Sequence, residues 1–355
     1  LKYHNHLKDD LAIKGLGRLN SEEEAAEAEL HKKYQLSALR LNFKPSDGIL
    51  ASSSSGRQVR QQKLETLMES VLEVLKPHPN LKKLTIYHYL GFSYPGWMGS
   101  LEALTNLRYL GLHNCSSCIE LPSLGLLPSL EVLVIKYLEG LKAIGAEIYG
   151  GIEVDHTLAA FPKLTILEIS DMPNLEVMEL GEIVEGKGDI IMMPCLKVLK
   201  ILRCPELKSL RLLTESLPSL ETLRLHFLKN LSSFPSNLPS LSHLYIRSCR
   251  SLTSGQHHVY LPVAPNLTTL EIQEFHHSIL HLGNIAQYRE LQHLNIYANL
   301  DDSLKLIPKY VHNLTKLQDL EIYSYGTEQE TGDWSILSYI PSVTLNGKKI
   351  GSKNQ

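Results

Sequence analysis

Residues 217–249 read LPSLETLRLHFLKNLSSFPSNLPSLSHLYIRSC and contain the pattern L-x-x-L-x-L at Leu220 and again, with isoleucine at the last position, at Leu241. In both copies a proline, Pro218 or Pro239, stands two residues before the first leucine. Proline has a fixed φ and no backbone donor, so it ends one segment and admits the next strand. A single short strand with its return segment cannot bury these leucines, whereas stacked copies bury them as a continuous ladder.

The same pattern, with isoleucine allowed at its last position, recurs along most of the chain. From Leu81 onward the first leucines of successive copies are 21 to 34 residues apart, and most spacings lie in the roughly 20–29 range of leucine-rich repeats. The two longest spacings indicate insertions at 142–160 and 178–193. The eleven first leucines are Leu36, Leu81, Leu107, Leu130, Leu164, Leu196, Leu220, Leu241, Leu267, Leu291 and Leu317. This predicts an α/β repeat fold, a leucine-rich-repeat solenoid or horseshoe with a parallel concave sheet and an irregular or helical convex side.

The segments before Leu81 depart from the regular repeat. Ser21 followed by Glu24 has the form of a capping box, which predicts a helix near 21–34. Residues 44–62 contain Lys-Pro-Ser-Asp-Gly and four serines, a composition typical of a flexible loop. Apolar residues then recur at 3.6-residue spacing over 63–76 and predict an amphipathic helix.

We interpret residues 1–355 as a single leucine-rich-repeat domain. The irregular end of the chain contains Ile340, Val343 and Leu345, whose spacing predicts one last strand that closes the open end. Because the chain begins with Leu1 in the middle of an amphipathic pattern, we expect it to be part of a longer polypeptide. The predicted parts are amino-terminal repeats with the helix (1–43), the flexible loop (44–62), the second helix (63–76), regular repeats (81–325) and an irregular terminal cap (326–355).

Charge and hydropathy exclude broad classes of partner. Lys and Arg total 35 against 38 Asp and Glu, a net charge of -3, which gives no general attraction to nucleic acid or to anionic membranes. No run approaches the ~18 consecutive apolar residues of a membrane span. We therefore expect no nucleic-acid partner and no membrane span, and a partner recognised by local surface patches.

The cysteines and the glycosylation sequons point to different compartments. Five cysteines are odd in number and sparse for this length, which favours a reducing environment. Four N-x-S/T sequons begin at Asn114, Asn230, Asn266 and Asn313 and favour the secretory route. Since the repeat itself explains the Asn-Leu-Thr order at Asn266 and Asn313, we predict a cytoplasmic or nucleocytoplasmic protein.

Motifs that carry chemistry are weak in this sequence. Residues 181–188 read GEIVEGKG, which places Gly188 where a phosphate-binding loop needs Ser or Thr, and no hydrophobic strand leads into the segment. Cys115 and Cys118 have zinc-ligand spacing without the second pair that a closed site needs. No nucleophile elbow or kinase signature is present. We predict no enzyme, and neither cofactor nor metal in this chain.

Binding residues are expected on the exposed face of the strands. In the pattern L-x-x-L-x-L-x-x the leucines point inward, so strand alternation places the third, fifth and seventh positions on the concave surface. These columns are rich in Tyr, His and Arg, residue types that supply hot spots in protein interfaces. The candidate partner-binding residues are Lys83, Tyr87, Tyr109, His113, Lys136, Lys200, Arg224, His226, His243, Tyr245, Arg247, Glu271, Tyr297, Asp319, Glu321 and Tyr323.

Longer phrases of the sequence resemble a known family. The phrases are LAIKGLGRLNSEEEAAEAELHKKYQLSALRLNF, VLKPHPNLKKLTIYHYLGFSYPGWM, NLRYLGLHNCSSCIELPSLGLLPSLEVLVI and FPKLTILEISDMPNLEVM. They are similar to the leucine-rich-repeat region of plant intracellular disease resistance proteins of the coiled-coil, nucleotide-binding (NBS-LRR) type. The resemblance implies a cytosolic sensor of a pathogen effector or its host target, which restrains an adjacent nucleotide-binding switch domain. It also implies that ADP or ATP binds in that other domain of the parent protein.

Two alternatives remain open at this point. The sequons suit the extracellular ectodomain of a leucine-rich-repeat receptor, although the Gly-x-Ile-Pro turn usual in plant ectodomains is missing. A substrate-receptor adaptor of a protein-modification complex would need a recruiting motif outside this chain. The sequence names neither the ligand nor the concave residues that contact it.

Overall fold

The computed structural model describes residues 1–44, 57–149, 159–178, 193–210, 217–233, 235, 237–253, 261–275, 282–298, 307–324 and 334–350. The chain divides into two compact units, Leu1–Leu196 and Lys197–Gln355. Each unit contains parallel strands of leucine-rich repeats that pair in chain order, so the predicted solenoid fold is confirmed. The interpretation of residues 1–355 as a single domain stays a prediction.

The first unit is built on six parallel strands that pair in chain order. Their leucines lie in register, since Leu84 is opposite Leu110, Leu110 opposite Leu133 and Leu133 opposite Leu167. Two further short strands, β6 (Ala143–Ile144) and β8 (Val177–Met178), form a separate parallel pair. The six strands are β1 (Asp9–Lys14), β2 (Leu36–Asn42), β3 (Lys83–Tyr87), β4 (Tyr109–His113), β5 (Val132–Lys136) and β7 (Ile166–Ser170).

The second unit has the same kind of arrangement and ends in a hairpin. Seven parallel strands pair in chain order, and β16 (Lys348–Lys349) then runs antiparallel to the last of them, β15 (Ser342–Leu345). The strands are β9 (Val198–Leu202), β10 (Thr222–His226), β11 (His243–Arg247), β12 (Thr269–Phe275), β13 (His293–Ala298), β14 (Asp319–Ser324) and β15 (Ser342–Leu345). The strand predicted around Val343 is confirmed, because β15 pairs with β14 and places Val343 opposite Leu320.

The inward positions of these strands form the core. Leu223, Leu244 and Leu270 are 0% exposed, and each fully buried leucine contributes roughly 1.5–3 kcal/mol relative to an exposed one. Cys204 and Cys249 follow the strands at the ladder edge and are also buried, with the Sγ of each donating to a backbone carbonyl at 3.4 Å. They are packing residues, as the repeat pattern predicts.

A left-handed residue follows the strand in most repeats. At the eighth position φ lies between 53° and 58° in His88, Asn114, Tyr137, Asp171, Arg203, Phe227 and Ser248. The positive φ turns the chain away from the sheet at this residue. The backbone amide of the residue donates to the seventh-position carbonyl of the next repeat, as the His88 amide does to the His113 carbonyl at 2.9 Å. Non-glycine residues rarely adopt this conformation, so the repeated turn is imposed by stacking.

The predicted helix at 21–34 is shorter than expected. Helix α1 covers Glu22–Ala26, its Ser21 side chain makes no capping hydrogen bond, and Glu29 turns left-handed at φ 46°. A short 3₁₀ turn, Leu30–Lys32, follows. Lys33 is then fully buried, and its Nζ donates to the Leu1 carbonyl at 2.9 Å. Burial of Leu30 and Lys33 therefore overrides the local helical preference.

The second helix is longer than predicted at its amino end. Helix α2 covers Arg57–Val74, so residues 57–62 are helical and not part of a loop. Residues 57–62 are mostly Arg and Gln, which are good helix formers. The serine-rich residues just before them led to the prediction of a loop. Residues 45–56 of the predicted loop lie outside the described residues. Met68, Val71 and Leu72 are fully buried on one face of α2, as the 3.6-residue spacing predicts.

The insertions are only partly described. The first insertion contains β6 and the 3₁₀ turn Ala146–Tyr149, which differs from the plain loop that its length suggests. Residues 150–158 and 179–192, including the glycine-bearing segment 181–188, lie outside the described residues. A third helix, α3 (Ile307–Val311), packs in the second unit with Ile307 and Val311 buried.

Candidate protein-binding surfaces

All sixteen candidate binding residues lie on strands, at the positions that alternate with the buried leucines. Fifteen of them are half-buried and Lys83 is exposed. The first unit carries Lys83, Tyr87, Tyr109, His113 and Lys136, and the second unit carries Lys200, Arg224, His226, His243, Tyr245, Arg247, Glu271, Tyr297, Asp319, Glu321 and Tyr323. Their contact with a partner stays a prediction.

In the first unit the candidate residues form an aromatic surface. The ring of Tyr87 stacks on His113, with centroids 5.0 Å apart and planes 16° from parallel. The Nζ of Lys83 lies 4.6 Å from the ring centroid of Tyr109, a cation–π contact. Burial lowers the pKa of His113, and the nearby Lys136 lowers it further. At neutral pH this surface therefore presents a neutral imidazole beside aromatic rings.

Two residues that shape the aromatic surface were missed by the sequence reasoning. A Cβ added to Gly111 would lie 2.8 Å from the Nε2 of His113 and 3.0 Å from Thr85, so the glycine makes room for the stacked ring. Glu168 pairs with Lys136 across the strands. Both residues occupy the fifth position of their repeats. The signal in the sequence was a glycine or a carboxylate at this position, where the neighbouring repeats have Thr85 and Val134.

In the second unit the basic residues form an arginine cluster, defined as Arg203, Arg224, His226 and Arg247. Burial lowers the pKa of His226, followed by the positive charges of Arg224, Arg247 and Arg203. His226 is therefore neutral at pH 7. The Arg224 Nε and the His226 Nε2 are buried, and neither has a hydrogen-bond partner within the described part of the chain. Such groups cost free energy until a partner satisfies them.

Aromatic rings support two of these guanidinium groups. The Cζ of Arg224 lies 4.4 Å from the ring centroid of Tyr245, and that of Arg247 lies 5.2 Å from the ring of Phe227. Phe227 is 40% exposed at the left-handed eighth position and was not among the candidates. The signal in the sequence for Phe227 was an apolar residue directly after the seventh position of the repeat. These rings hold the cations against the sheet face.

The opposite end of the second unit carries a carboxylate–tyrosine surface, defined as Glu271, Tyr297, Asp319, Glu321 and Tyr323. The Oη of Tyr297 donates to the Oε2 of Glu321 at 2.9 Å. Burial, this hydrogen bond and the charges of Glu321 and Glu271 raise the pKa of Tyr297 to about 12. The Nδ1 of His293 lies 2.8 Å from the Oδ2 of Asp319. The surface combines acidic groups with a flat aromatic face.

The two surfaces of the second unit are adjacent. The pairing of β11 with β12 places Tyr245 opposite Glu271 and Arg247 opposite Gln273. Gln273 donates to the Oε1 of Glu271 at 2.6 Å. One strand spacing, about 4.8 Å, therefore separates the last strand of the arginine cluster from the first strand of the carboxylate–tyrosine surface.

Other sites considered from the sequence have a different character in the structure. Cys115 and Cys118 are free thiols that are 0% exposed, with the Sγ of Cys118 donating to the Gly91 carbonyl at 3.2 Å. Over the described ranges, no group of three His, Cys, Asp or Glu residues has the geometry of a metal site. Within the same ranges no helix has the length and apolar character to cross a membrane.

The chain matches known proteins in both sequence and fold. Residues 1–138 match the family described as R13L1/DRL21 LRRs. A disease resistance protein of Arabidopsis thaliana is 31% identical over 52% of this chain and 12% of its own length. Disease resistance protein RGA2 of Solanum bulbocastanum is 29% identical over 48% of this chain and 16% of its own length. The chain is a leucine-rich-repeat chain similar to plant disease resistance proteins.

The likeness extends to a solved structure of low sequence identity. This leucine-rich-repeat chain superposes on TLR13, from the crystal structure of the TLR13-ssRNA13 complex, with a TM-score of 0.50 and 17% identity. The match covers 98% of this chain and 48% of TLR13, and it shows the shared fold alone. Because the chain spans only 12–16% of the length of the two curated relatives, it corresponds to a small part of each. The predicted resemblance to plant resistance proteins is confirmed.

Proposed function

We propose that this chain is the protein-binding sensor domain of a plant innate immune receptor. It recognises a pathogen effector, or a host protein that an effector has modified, and restrains an adjacent nucleotide-binding switch domain in the cytoplasm. The observation that carries the proposal is the column of half-buried Tyr, His and Arg side chains on the strand faces. Tyr and Arg are among the residue types that dominate interface energetics, and a Tyr ring buries a large area with only two side-chain torsions. The similarity to disease resistance proteins of two plants supports the immune context.

The domain acts by binding and does not catalyse a reaction. Nucleotide, as ADP or ATP, belongs to the adjacent switch domain of the parent protein. Calorimetric titration of this chain with ATP and Mg²⁺ tests that assignment. No heat of binding is expected, and saturable binding would place a nucleotide site inside the repeats.

Capture of the partner tests the binding face. The chain and the variant Tyr87→Ala/Arg247→Ala/Tyr297→Ala are immobilised and exposed to extracts of pathogen-challenged plant tissue. Each side chain is half-buried on a strand face, so truncation removes contact area while the leucine ladder stays intact. We expect partner recovery to fall by about tenfold or more, since each hot spot contributes roughly 2 kcal/mol or more.

A matched control also replaces two tyrosines and one arginine by alanine, but at positions outside the strand columns. Tyr3 and Tyr34 are 89% and 47% exposed, and Arg108 makes an exposed ion pair with Glu131 at 3.3 Å. The variant Tyr3→Ala/Tyr34→Ala/Arg108→Ala should capture the partner as well as the parent chain. Equal recovery by both triple variants would contradict the proposed face.

The extracellular alternative rests on the sequons. The Nδ2 of Asn266 donates to the Pro239 carbonyl at 2.8 Å, and that of Asn230 donates to the Oε2 of Glu206 at 3.1 Å. A glycan on either nitrogen would crowd these contacts between repeats. Mass spectrometry of the protein from its native cells should find both asparagines unmodified. Glycan on Asn230 or Asn266 would favour the ectodomain reading.

A further inference from the structure

Three neighbouring strands of the second unit bring two glutamates to the two sides of one asparagine. At the fifth position of β13, Asn295 lies opposite Glu271 of β12 and opposite Glu321 of β14. The two glutamates are therefore two strand steps apart, about 10 Å at about 4.8 Å a step. All three side chains are half-buried on the strand face, and all three belong to the same compact unit.

The partners of the two glutamates are neutral groups. The Tyr297 hydroxyl donates to Glu321, and the Gln273 amide donates to Glu271. Within the described ranges neither glutamate forms an ion pair. Burial raises the pKa of Tyr297 most, and the charges of Glu321 and Glu271 raise it further, so both carboxylates act on one hydroxyl. Half-buried like charges repel each other, and a cation between them would remove that repulsion.

The tyrosine pair places a flat ring beside these carboxylates. The rings of Tyr297 and Tyr323 are 7° from parallel, with centroids 4.8 Å apart. Since β14 lies on one side of β13 and β12 on the other, Tyr323 covers one face of the Tyr297 ring. The opposite face is turned toward the strand that carries Glu271. Among the described residues, the cation–π contacts are made by other rings.

The same strand face shows how a guanidinium group packs on a tyrosine. The Cζ of Arg224 lies 4.4 Å from the ring centroid of Tyr245, which is opposite Glu271 in the sheet. A guanidinium group is planar, stacks on aromatic rings and donates to carboxylates in a fork, whereas an ammonium group is a compact point charge. A guanidinium group above Asn295 would have a glutamate on either side and the Tyr297 ring beside it.

We propose that Glu271, Asn295, Tyr297 and Glu321 form a recognition site for an arginine side chain of the protein partner. The inference rests on the proposed protein-binding function and specifies the chemistry that the partner presents to the second unit. The carboxylates neutralise the guanidinium group, the Asn295 side-chain oxygen accepts a hydrogen bond, and the Tyr297 ring packs against it. A metal ion fits less well, because the described ranges contain no group of three His, Cys, Asp or Glu residues that could hold one.

Short peptides that differ in one side chain test the site. A peptide of glycine and serine, blocked at both ends, carries arginine, lysine or citrulline at its centre. Citrulline has nearly the shape of arginine without its charge. NMR of the full chain with ring-labelled tyrosine follows the signals of Tyr297 and Tyr323. The arginine peptide should shift these signals saturably and bind about tenfold more tightly than the citrulline peptide. It should bind about threefold more tightly than the lysine peptide, because an ammonium group does not stack.

Two variants separate the contribution of the charges from that of the ring. Glu271→Gln/Glu321→Gln keeps the shape of both side chains, removes both charges and should weaken binding of the arginine peptide by about tenfold or more. Tyr297→Leu keeps both carboxylates and should remove most of the preference for arginine over lysine. In that variant the signal of Tyr323 reports binding.

A matched control removes two carboxylates elsewhere in the second unit. Glu221→Gln/Glu290→Gln alters two exposed glutamates that form ion pairs beside the strands, and it should leave the affinity for the arginine peptide unchanged. This control has the same change in net charge as Glu271→Gln/Glu321→Gln. Equal losses in the two double variants would mean that the peptide responds only to net charge, which would overturn the inference.

The parent chain alone also decides the matter. Equal affinity for the arginine and citrulline peptides would refute the site, and so would equal affinity for the arginine and lysine peptides, since the face would then be only a region of negative charge. A stronger response of the same tyrosine signals to calcium ions than to the arginine peptide would refute it in favour of a metal. The titration needs no natural partner, so its failure is distinct from a failure of partner capture, which tests the proposed function.

Discussion

The rings of Tyr297 and Tyr323 stack 4.8 Å apart, and the Oη of Tyr297 donates to the Oε2 of Glu321 on the same strand as Tyr323. Parallel register produces this contact, because Tyr297 lies opposite Tyr323 and the strands are neighbours. The stacked pair therefore depends on the leucine ladder beneath it and is held before any partner arrives.

Titration of Tyr297 tests the hydrogen bond. Burial and Glu321 raise the pKa of Tyr297 to about 12, above its ordinary value of about 10. The variant Glu321→Gln should lower that pKa, measured by NMR of ring-labelled tyrosine. Since the folded pKa is the higher one, the neutral phenol stabilises the fold below about pH 10, and this contribution is lost as the pH rises through about 12. An unchanged pKa in Glu321→Gln would show that burial alone causes the shift.

The pKa of His226 should rise when a neighbouring positive charge is removed, whereas the pKa of Tyr297 should fall when a neighbouring negative charge is removed. Burial and the arginines lower the pKa of His226, so the folded state favours the neutral imidazole. This contribution to stability is present above the ordinary pKa of about 6.5 and is lost as the pH falls below it. The variant Arg224→Gln removes one positive charge and should raise the pKa of His226. An NMR titration of the histidine ring signals measures this pKa. A lower pKa in that variant would contradict the cluster geometry.

The leucine ladder carries the stability of the fold. Leu244 is 0% exposed, whereas Ile336 in the same unit is 43% exposed. Leu244→Ala should reduce the free energy of unfolding by about 2–5 kcal/mol, because it leaves a cavity. Ile336→Ala should change it by less than about 1 kcal/mol. Urea denaturation followed by circular dichroism measures both, and equal losses would mean that the ladder is not the core.

Much of the fold could be predicted from the leucine period alone. The pattern that begins at Leu220 predicts a strand over its third to seventh positions, and β10 is Thr222–His226. Period and alternation suffice there because every neighbour repeats the same pattern. The helix at 21–34 could not be predicted correctly, since burial of Lys33 against the Leu1 carbonyl depends on a distant segment.

The candidate columns were predictable, but their contacts were not. Alternation places Arg224 and Arg247 on the exposed face, whereas the packing of Arg247 on Phe227 depends on the left-handed turn after β10. The room that Gly111 leaves for His113 likewise depends on the neighbouring strand. These contacts join side chains of neighbouring repeats, and the repeating pattern of the sequence does not reveal them.

The left-handed turn can be tested at His88. Its φ is 56°, and its amide donates to the His113 carbonyl at 2.9 Å. The β-branched substitution His88→Val should cost about 1–2 kcal/mol, because a branched side chain clashes in this conformation. His88→Asn should change stability by less than about 0.5 kcal/mol, since Asn tolerates it. Thermal denaturation of the two variants compares them directly, and equal melting temperatures would argue against the turn.

Site-specific photocrosslinking tests most directly whether the strand faces bind the partner. A photoreactive phenylalanine analogue replaces Tyr87, Tyr297 or, as the control, Tyr339, which is 41% exposed and lies outside the strand columns. After irradiation in extracts of challenged plant tissue, we expect a crosslink to the captured partner from positions 87 and 297 and none from position 339. A crosslink from position 339 alone would contradict it.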